Sequence, residues 1–183
     1  MKPRALALGW GLAMALLAGC EEKEEAPRLA PYTGPLMQTE NVRIILSDSA
    51  RTHIRLSAPL EQDYESGDRL YPKGATVLFY DKPGRTVVNT IEAQWVKYES
   101  NKQLYILRKD VRVVNVPKQQ RLFTEELFYD RLKQRIYTNP KTFVRVQTPV
   151  DSLTGYGLEA AQDFSRYTVL RLSGKLDASG SAQ

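Results

Sequence analysis

Apolar side chains alternate with polar ones through most of the chain, at the two-residue period that places successive side chains on opposite faces of a β-strand. The apolar positions of these short runs are Val42, Ile44 and Leu46; Ile54, Leu56 and Ala58; Val77 and Phe79; Ile91, Ala93 and Trp95; Leu104 and Ile106; and Val111 and Val113. Sequences that favour turns separate the runs, namely Ser66-Gly67-Asp68, Asp81-Lys82-Pro83-Gly84, Ser100-Asn101, Asn139-Pro140 and Gly155-Tyr156-Gly157. No segment has a convincing apolar face at helical spacing, so the pattern predicts an all-β body.

The runs also recur along the chain. Leu104 has a counterpart at Ile136, 32 residues later, and another at Val169, a further 33 residues on. Repeated hairpins that each expose one apolar face must close two sheets over each other. The predicted fold is therefore an open β-jellyroll or two-sheet sandwich of stacked antiparallel strands. We expect Gly155 and Gly157 to supply the positive-φ backbone of a turn that leads into the last hairpin.

The first residues have the pattern of a secretory signal. Lys2 and Arg4 form a basic start, and the apolar stretch from Ala5 to Leu17 is shorter than the roughly 20 residues that a membrane-spanning helix needs. Leu17-Ala18-Gly19-Cys20 resembles the lipobox of bacterial lipoproteins, which implies cleavage before the cysteine and attachment of lipid to it. The prediction is a signal peptide at residues 1–19 and a lipid anchor on Cys20. An uncleaved anchor with a chance cysteine is the alternative.

Composition divides the remaining chain into three parts. Residues 20–40 are acidic and then punctuated by prolines, which predicts a flexible linker. Residues 41–176 carry the alternating pattern and form one domain, and residues 177–183 are small and polar, as in a disordered tail. Without the signal peptide, 24 basic side chains face 21 acidic ones, a dispersed net charge of +3 that gives no support for nucleic-acid binding. Because Cys20 is the only cysteine, its lipidation leaves no thiol for a disulfide or a metal site.

The body resembles the LptC family, the periplasmic component of the lipopolysaccharide export ABC transporter, which is related to the LptA and OstA-like β-jellyroll proteins. The segments that carry the resemblance are Arg55–Ala58 (RLSA), Val77–Arg85 (VLFYDKPGR), Ile91–Tyr98 (IEAQWVKY), Arg121–Asp130 (RLFTEELFYD) and Thr154–Glu159 (TGYGLE). The resemblance implies a jellyroll whose two sheets enclose an apolar groove for the acyl chains of lipopolysaccharide. It also implies two protein partners, the inner-membrane LptB-LptF-LptG complex and an LptA-like bridge protein.

The family implies a location as well. The chain is expected on the periplasmic face of the cell envelope, with its anchor in the inner membrane favoured and the outer membrane possible. Familiar members keep an N-terminal transmembrane helix, whereas this chain has a lipobox, so a role of that helix is not carried over.

An apolar inner face suits acyl chains, which need neither donors nor acceptors. The residues that we predict to line the groove are Phe79, Trp95, Leu104, Ile106, Val111, Leu127, Ile136, Phe143 and Val169. For each of them, an ordinary core position is the alternative. Similarly, Arg112, Arg145 and Arg171 are candidates to meet lipid phosphates, or else belong to a solvated strand face.

Terminal strands leave unpaired backbone groups that can bind a neighbouring sheet. By resemblance, the strand around Val42–Leu46 faces the transporter and the strand around Tyr167–Leu176 faces the next bridge protein. The predicted contact residues are Val42, Ile44, Leu46, Val169, Leu170 and Leu172.

Catalysis is not expected, and neither is a cofactor. His53 is the only histidine, and adjacent carboxylates such as Glu125 and Glu126 point to opposite faces of a strand. The stronger rival to lipid carriage is a lipid-anchored β-sheet scaffold that joins envelope partners by edge-strand pairing and carries no lipid. A continuous groove would favour the carrier, and a close-packed core would favour the scaffold.

Overall fold

The structure is a computed structural model, and it describes residues 32–162, 164 and 166–173. The chain separates into two compact units, Met1–Thr33 and Gly34–Gln183, and every described strand belongs to the second. The predicted signal peptide, Cys20, most of the predicted linker, Leu176 and the tail lie outside the described residues. Within the described part, no helix is long and apolar enough to cross a membrane.

The predicted all-β fold is confirmed. The strands are β1 (Met37–Asp48), β2 (Arg51–Asp63), β3 (Arg69–Tyr71), β4 (Ala75–Tyr80), β5 (Val87–Ala93), β6 (Trp95–Glu99), β7 (Leu104–Asn115), β8 (Gln120–Asp130), β9 (Arg135–Tyr137), β10 (Phe143–Gln147), β11 (Ser152–Ala161) and β12 (Tyr167–Leu172). All of their pairings are antiparallel.

Long strands are shared between two layers. One half of β7 pairs with β6, and its other half pairs with β5. In the same way β2 pairs with both β3 and β4, and β8 and β11 each pair with both β9 and β10. We call the layer that contains β3, β6 and β9 layer 1, and the layer that contains β4, β5 and β10 layer 2. The shared strands make the two layers one continuous sheet.

The layers pack face to face. A small cavity of about 20 Å³ is lined from layer 2 by Val113, Leu122 and Val146 and from layer 1 by Leu158 and Tyr167. Buried side chains from both layers form a single hydrophobic cluster. A two-layer sandwich with one shared core is therefore the architecture, as expected for a sheet that is apolar on one face.

Left-handed residues mark the points where β1, β7 and β11 pass from one layer to the other. Asn41 has φ 53° in β1, Lys109 and Asp110 have φ 64° and 50° in β7, and Gly157 has φ 75° in β11. At Lys109 the register of β7 against β8 also shifts, as at a β-bulge. These residues bend the strands so that each can belong to both layers.

One predicted boundary and one predicted turn are wrong. Strand β1 begins at Met37, so Met37–Glu40 belong to a strand and not to the linker. Asn41 interrupts the alternation there, which hides the start of the strand. The predicted turn at Gly155–Gly157 lies inside β11, where Gly157 serves the passage between the layers.

Candidate lipid groove and edge strands

The inner face is apolar and tightly packed over most of its length. Its fully or almost fully buried side chains include Val111, Leu127, Ile136, Val144 and Leu158, with exposed fractions of 0 to 2%. Cross-strand partners share a face of the sheet, so this packing follows directly from the register. For example, Leu107 pairs with Leu127 and Val113 pairs with Leu122, and all four are buried.

Toward β1 the same inner face becomes accessible. Ile44 pairs with Leu56, and Leu56 pairs with Val77, so the three share one row of the inner face. All three are only half-buried, although Leu56 and Val77 pack against the core. In the next row, Leu46 pairs with Ile54 and Ile54 pairs with Phe79, and Leu46 is 54% exposed.

This accessible part of the interior is the candidate groove. We call it the β1-side inner face and define it by Val42, Ile44, Leu46, Ile54, Leu56, Val77 and Phe79. It offers apolar contact area that no other described element covers completely.

The structure divides the nine predicted groove residues into two groups. Val111, Leu127 and Ile136 are buried between the layers, and Phe79 and Val169 pack against that core. The inward placement predicted for Trp95, Leu104, Ile106 and Phe143 is wrong. Their immediate neighbours Val96, Tyr105, Leu107 and Val144 face the core instead.

The wrong assignments share a physical cause. Each outward side chain stands beside another apolar residue, so alternation alone does not say which of the two points inward. The outward rings have partners of their own. The Arg108 guanidinium lies 5.5 Å from the Trp95 ring centroid, and the Phe143 ring meets Tyr156 edge-on at 5.7 Å. Phe143 is 47% exposed.

The prediction also missed part of the groove. Ile54, Leu56 and Val77 were recognised as strand positions but not as groove residues. Their alternation was visible in the sequence, but their accessibility depends on which strand lies at the edge of the sheet. The structure supplies that information, because β1 pairs with β2 and with no other described strand.

Strands β1 and β12 are the edge strands. Among the described strands, β1 pairs only with β2, and β12 pairs only with β11. Leu170 and Leu172 are 44% and 53% exposed on β12, whereas Val169 packs on the core. On β1, Val42 and Ile44 are half-buried on the inner face. Contact of these residues with a partner stays a prediction.

Glycines hold β12 close to β11. Gly155 does not have a positive φ, contrary to the prediction, but a Cβ there would collide with the carbonyl oxygen of Arg171. Gly157 combines a positive φ with a close approach to the Leu170 side chain. Both glycines thus serve strand geometry within the sheet and not a turn.

Layer 1 contains a polar cluster on its inner face. The Arg69 guanidinium lies 3.8 Å from the Glu61 carboxylate and 3.4 Å from that of Asp63. Burial is the main cause that raises the pKa of Glu61, and Asp63 raises it further, whereas Arg69 acts in the opposite direction. Burial also raises the pKa of Tyr71, Tyr105 and Tyr129. This end of the interior is therefore less suited to acyl chains than the β1-side inner face.

No protein-family model matches the sequence, and neither does any curated protein. Among the residues that the structure describes, no three His, Cys, Asp or Glu side chains come together as a metal site would require. The site is thus defined by its apolar surface and its edges.

Proposed function

We propose that this chain is a membrane-tethered periplasmic carrier of lipopolysaccharide. It accepts the lipid from an inner-membrane LptB-LptF-LptG transporter and passes it to an LptA-like β-jellyroll of a transenvelope bridge. The lipid anchor on Cys20 would hold it to the membrane. The observation that carries the proposal is the β1-side inner face, an apolar surface inside the roll that stays accessible at the edge where the first strand lies.

Acyl chains require apolar contact area and no polar partners. Removing apolar surface from water stabilises a complex by about 25 cal/mol per Å², without any need for polar partners. Val77 and Phe79 provide such surface on β4, and Ile54 and Leu56 continue it on β2. The edge position of β1 lets a lipid enter from the side, and a second jellyroll can extend the sheet from β12.

Photo-crosslinking in cells tests this proposal. A photoreactive amino acid at Phe79 is expected to form a covalent adduct with lipopolysaccharide, and the adduct should disappear when the transporter's ATPase is inactivated. Leu78 is the matched control, because it is the next residue on β4, is similarly half-buried and faces outward. Equal adducts at both positions, or no adduct at Phe79, would contradict lipid carriage.

A second function is favoured by the packing of the rest of the interior. The cavity that Val113, Leu122, Val146, Leu158 and Tyr167 line has a volume of about 20 Å³, which is room for no more than about one water molecule. A close-packed core of this kind suits a lipid-anchored scaffold that joins envelope partners by edge-strand pairing. The scaffold predicts protein crosslinks from Ile45 on β1 and Leu170 on β12, both exposed, with no lipid adduct at Phe79.

A further inference from the structure

The outer face of layer 2 carries arginines that have no acidic partner. Arg121 and Arg145 project from β8 and β10, and Arg171 projects from β12. Within the described ranges, none of the three forms an ion pair. Their cross-strand neighbours are also uncharged. Gln147 lies beside Arg121, and Tyr156 lies beside Arg171.

Aromatic rings alternate with these arginines. The Arg145 guanidinium lies 5.1 Å from the ring centroid of Phe123, and that of Arg171 lies 5.6 Å from Tyr156. Phe143 and Tyr156 are 47% and 40% exposed. We call this surface the arginine–aromatic face and define it by Arg121, Phe123, Phe143, Arg145, Tyr156 and Arg171.

The outer face of layer 1 is organised differently. There Lys97 pairs with Asp68 and Glu99, Arg108 pairs with Glu126, and Arg135 pairs with Glu159. These cations of layer 1 are paired with acids, whereas the three arginines of the arginine–aromatic face are not; their neighbour Arg112, beside Phe123, is paired with Asp110. Charge asymmetry between two faces of one domain indicates a surface that meets an anionic partner.

We propose that the arginine–aromatic face docks on the anionic headgroups of a lipid bilayer. Each of two arginines lies over its own aromatic neighbour, so the guanidinium groups do not converge on one small anion. They lie on β8, β10 and β12, and with β11 between the last two the group spans roughly 14 Å at about 4.8 Å per strand. Such spacing suits many separate phosphates in a plane, and exposed aromatic rings are favoured at the membrane interface.

The border of the face contains basic, aromatic and acidic side chains. Trp95, Arg108 and Lys109 adjoin Phe143 around a shallow depression. The acids of the depression are Glu125 and Glu126, and Glu126 is paired with Arg108. This inference does not depend on lipopolysaccharide carriage, since it concerns the outer surface of layer 2 and not the interior.

A fluorescent reporter on each layer tests the proposal. Protein purified from membranes, with the anchor that the cell supplies, is reconstituted into vesicles of phosphatidylcholine with or without phosphatidylglycerol. An environment-sensitive fluorophore is attached to a cysteine introduced at Ser152 of layer 2 or at Thr168 of layer 1, both exposed and outward-facing. The parent protein, whose only cysteine is Cys20, provides the background.

We expect the Ser152 label to respond only to vesicles that contain phosphatidylglycerol, and the Thr168 label to respond to neither. About 0.5 M salt should abolish the response by screening. Replacing Arg121, Arg145 and Arg171 by Gln should shift docking about a hundredfold toward the undocked state. Replacement of all three by Lys should preserve it, and circular dichroism checks that each variant is folded.

Two results would overturn docking on a bilayer. One is an equal response of both labels. The other is a Ser152 response that polyglutamate elicits and anionic vesicles do not, which would assign the face to an acidic protein instead.

Discussion

At the residue scale, Leu127 reports most directly on the shared core. Its side chain has 0% exposure on β8 and lies opposite Leu107 on β7. Leu127→Ala should lower the free energy of unfolding by about 3 kcal/mol, because it removes transfer free energy and leaves a cavity. Urea denaturation measures the change. Leu132→Ala, in the turn after β8 and 68% exposed, should change stability by less than about 0.5 kcal/mol. Similar losses in the two variants would mean that Leu127 is not a core residue.

Glu61 gives the fold a dependence on pH. Its pKa is raised in the folded state, so the stability that it contributes is present below its ordinary pKa of 4.5 and is lost as pH rises through the folded value. Glu61→Gln removes this titration. The stability of the variant relative to the wild type should therefore increase between about pH 4 and pH 7, as measured by urea midpoints.

Asp81 provides the control of opposite sign. Backbone N–H groups of Arg85 and Thr86 donate to its carboxylate and lower its pKa. Its contribution is present above its ordinary pKa and is lost as pH falls. Because the ordinary pKa of Asp81 is 3.8 and the folded value is lower, Asp81→Asn should lose stability relative to the wild type as pH rises from about 2 to about 4, and the difference should then stay constant. Parallel pH profiles for the two variants would contradict both assignments.

At the element scale, β12 depends on the absence of a side chain at Gly155. A Cβ at that position would collide with the carbonyl oxygen of Arg171, so Gly155→Ala should push β12 away from β11. We expect amide hydrogen exchange to accelerate across Tyr167–Leu172 while β7 and β8 remain protected. Unchanged protection of β12 would show that the close approach is dispensable, and loss of protection in every strand would indicate global unfolding.

Strand positions were largely predictable from the sequence, whereas side-chain directions were not. Val42, Ile44 and Leu46 alternate with Arg43 and the outward Ile45, and they share the inner face of β1 as expected. Trp95 and Phe143 each precede a valine, so apolar residues occupy both faces of the strand there. The alternation therefore does not show which of the two side chains points inward. The direction of each side chain depends there on three-dimensional packing. The larger ring contacts an arginine or a tyrosine on the outer face, and the valine packs in the core.

The sequence pattern also did not predict where the long strands pass from one layer to the other. Lys109 and Asp110 have a left-handed backbone and bend β7, although neither residue is a glycine that would predict this conformation. Gly157 does carry that signal, but its place inside a long strand follows only from the pairing of β11 with both β9 and β10. A glycine in the sequence identifies a position where a left-handed backbone is possible. It does not show whether that position forms a turn or a bend within a strand.

At the scale of the whole molecule, three surfaces have distinct chemistry. The β1-side inner face is apolar and accessible, the edge strands offer exposed leucines, and the arginine–aromatic face is cationic. Two of the surfaces overlap, because Val42, Ile44 and Leu46 belong both to the β1-side inner face and to the β1 edge. Substitutions on β4, such as at Phe79, therefore test the inner face without changing the β1 edge.

The most direct test of lipid carriage compares adjacent residues of β2 in a reconstituted system. Leu56 belongs to the β1-side inner face, whereas Ser57 faces outward, and both are half-buried. A photoreactive residue is placed at each position, and the protein is reconstituted with the transporter and lipopolysaccharide, with and without ATP. Lipid carriage predicts an ATP-dependent lipopolysaccharide adduct at Leu56 and little at Ser57. ATP-independent or equal labelling of the two positions would contradict transport along the inner face.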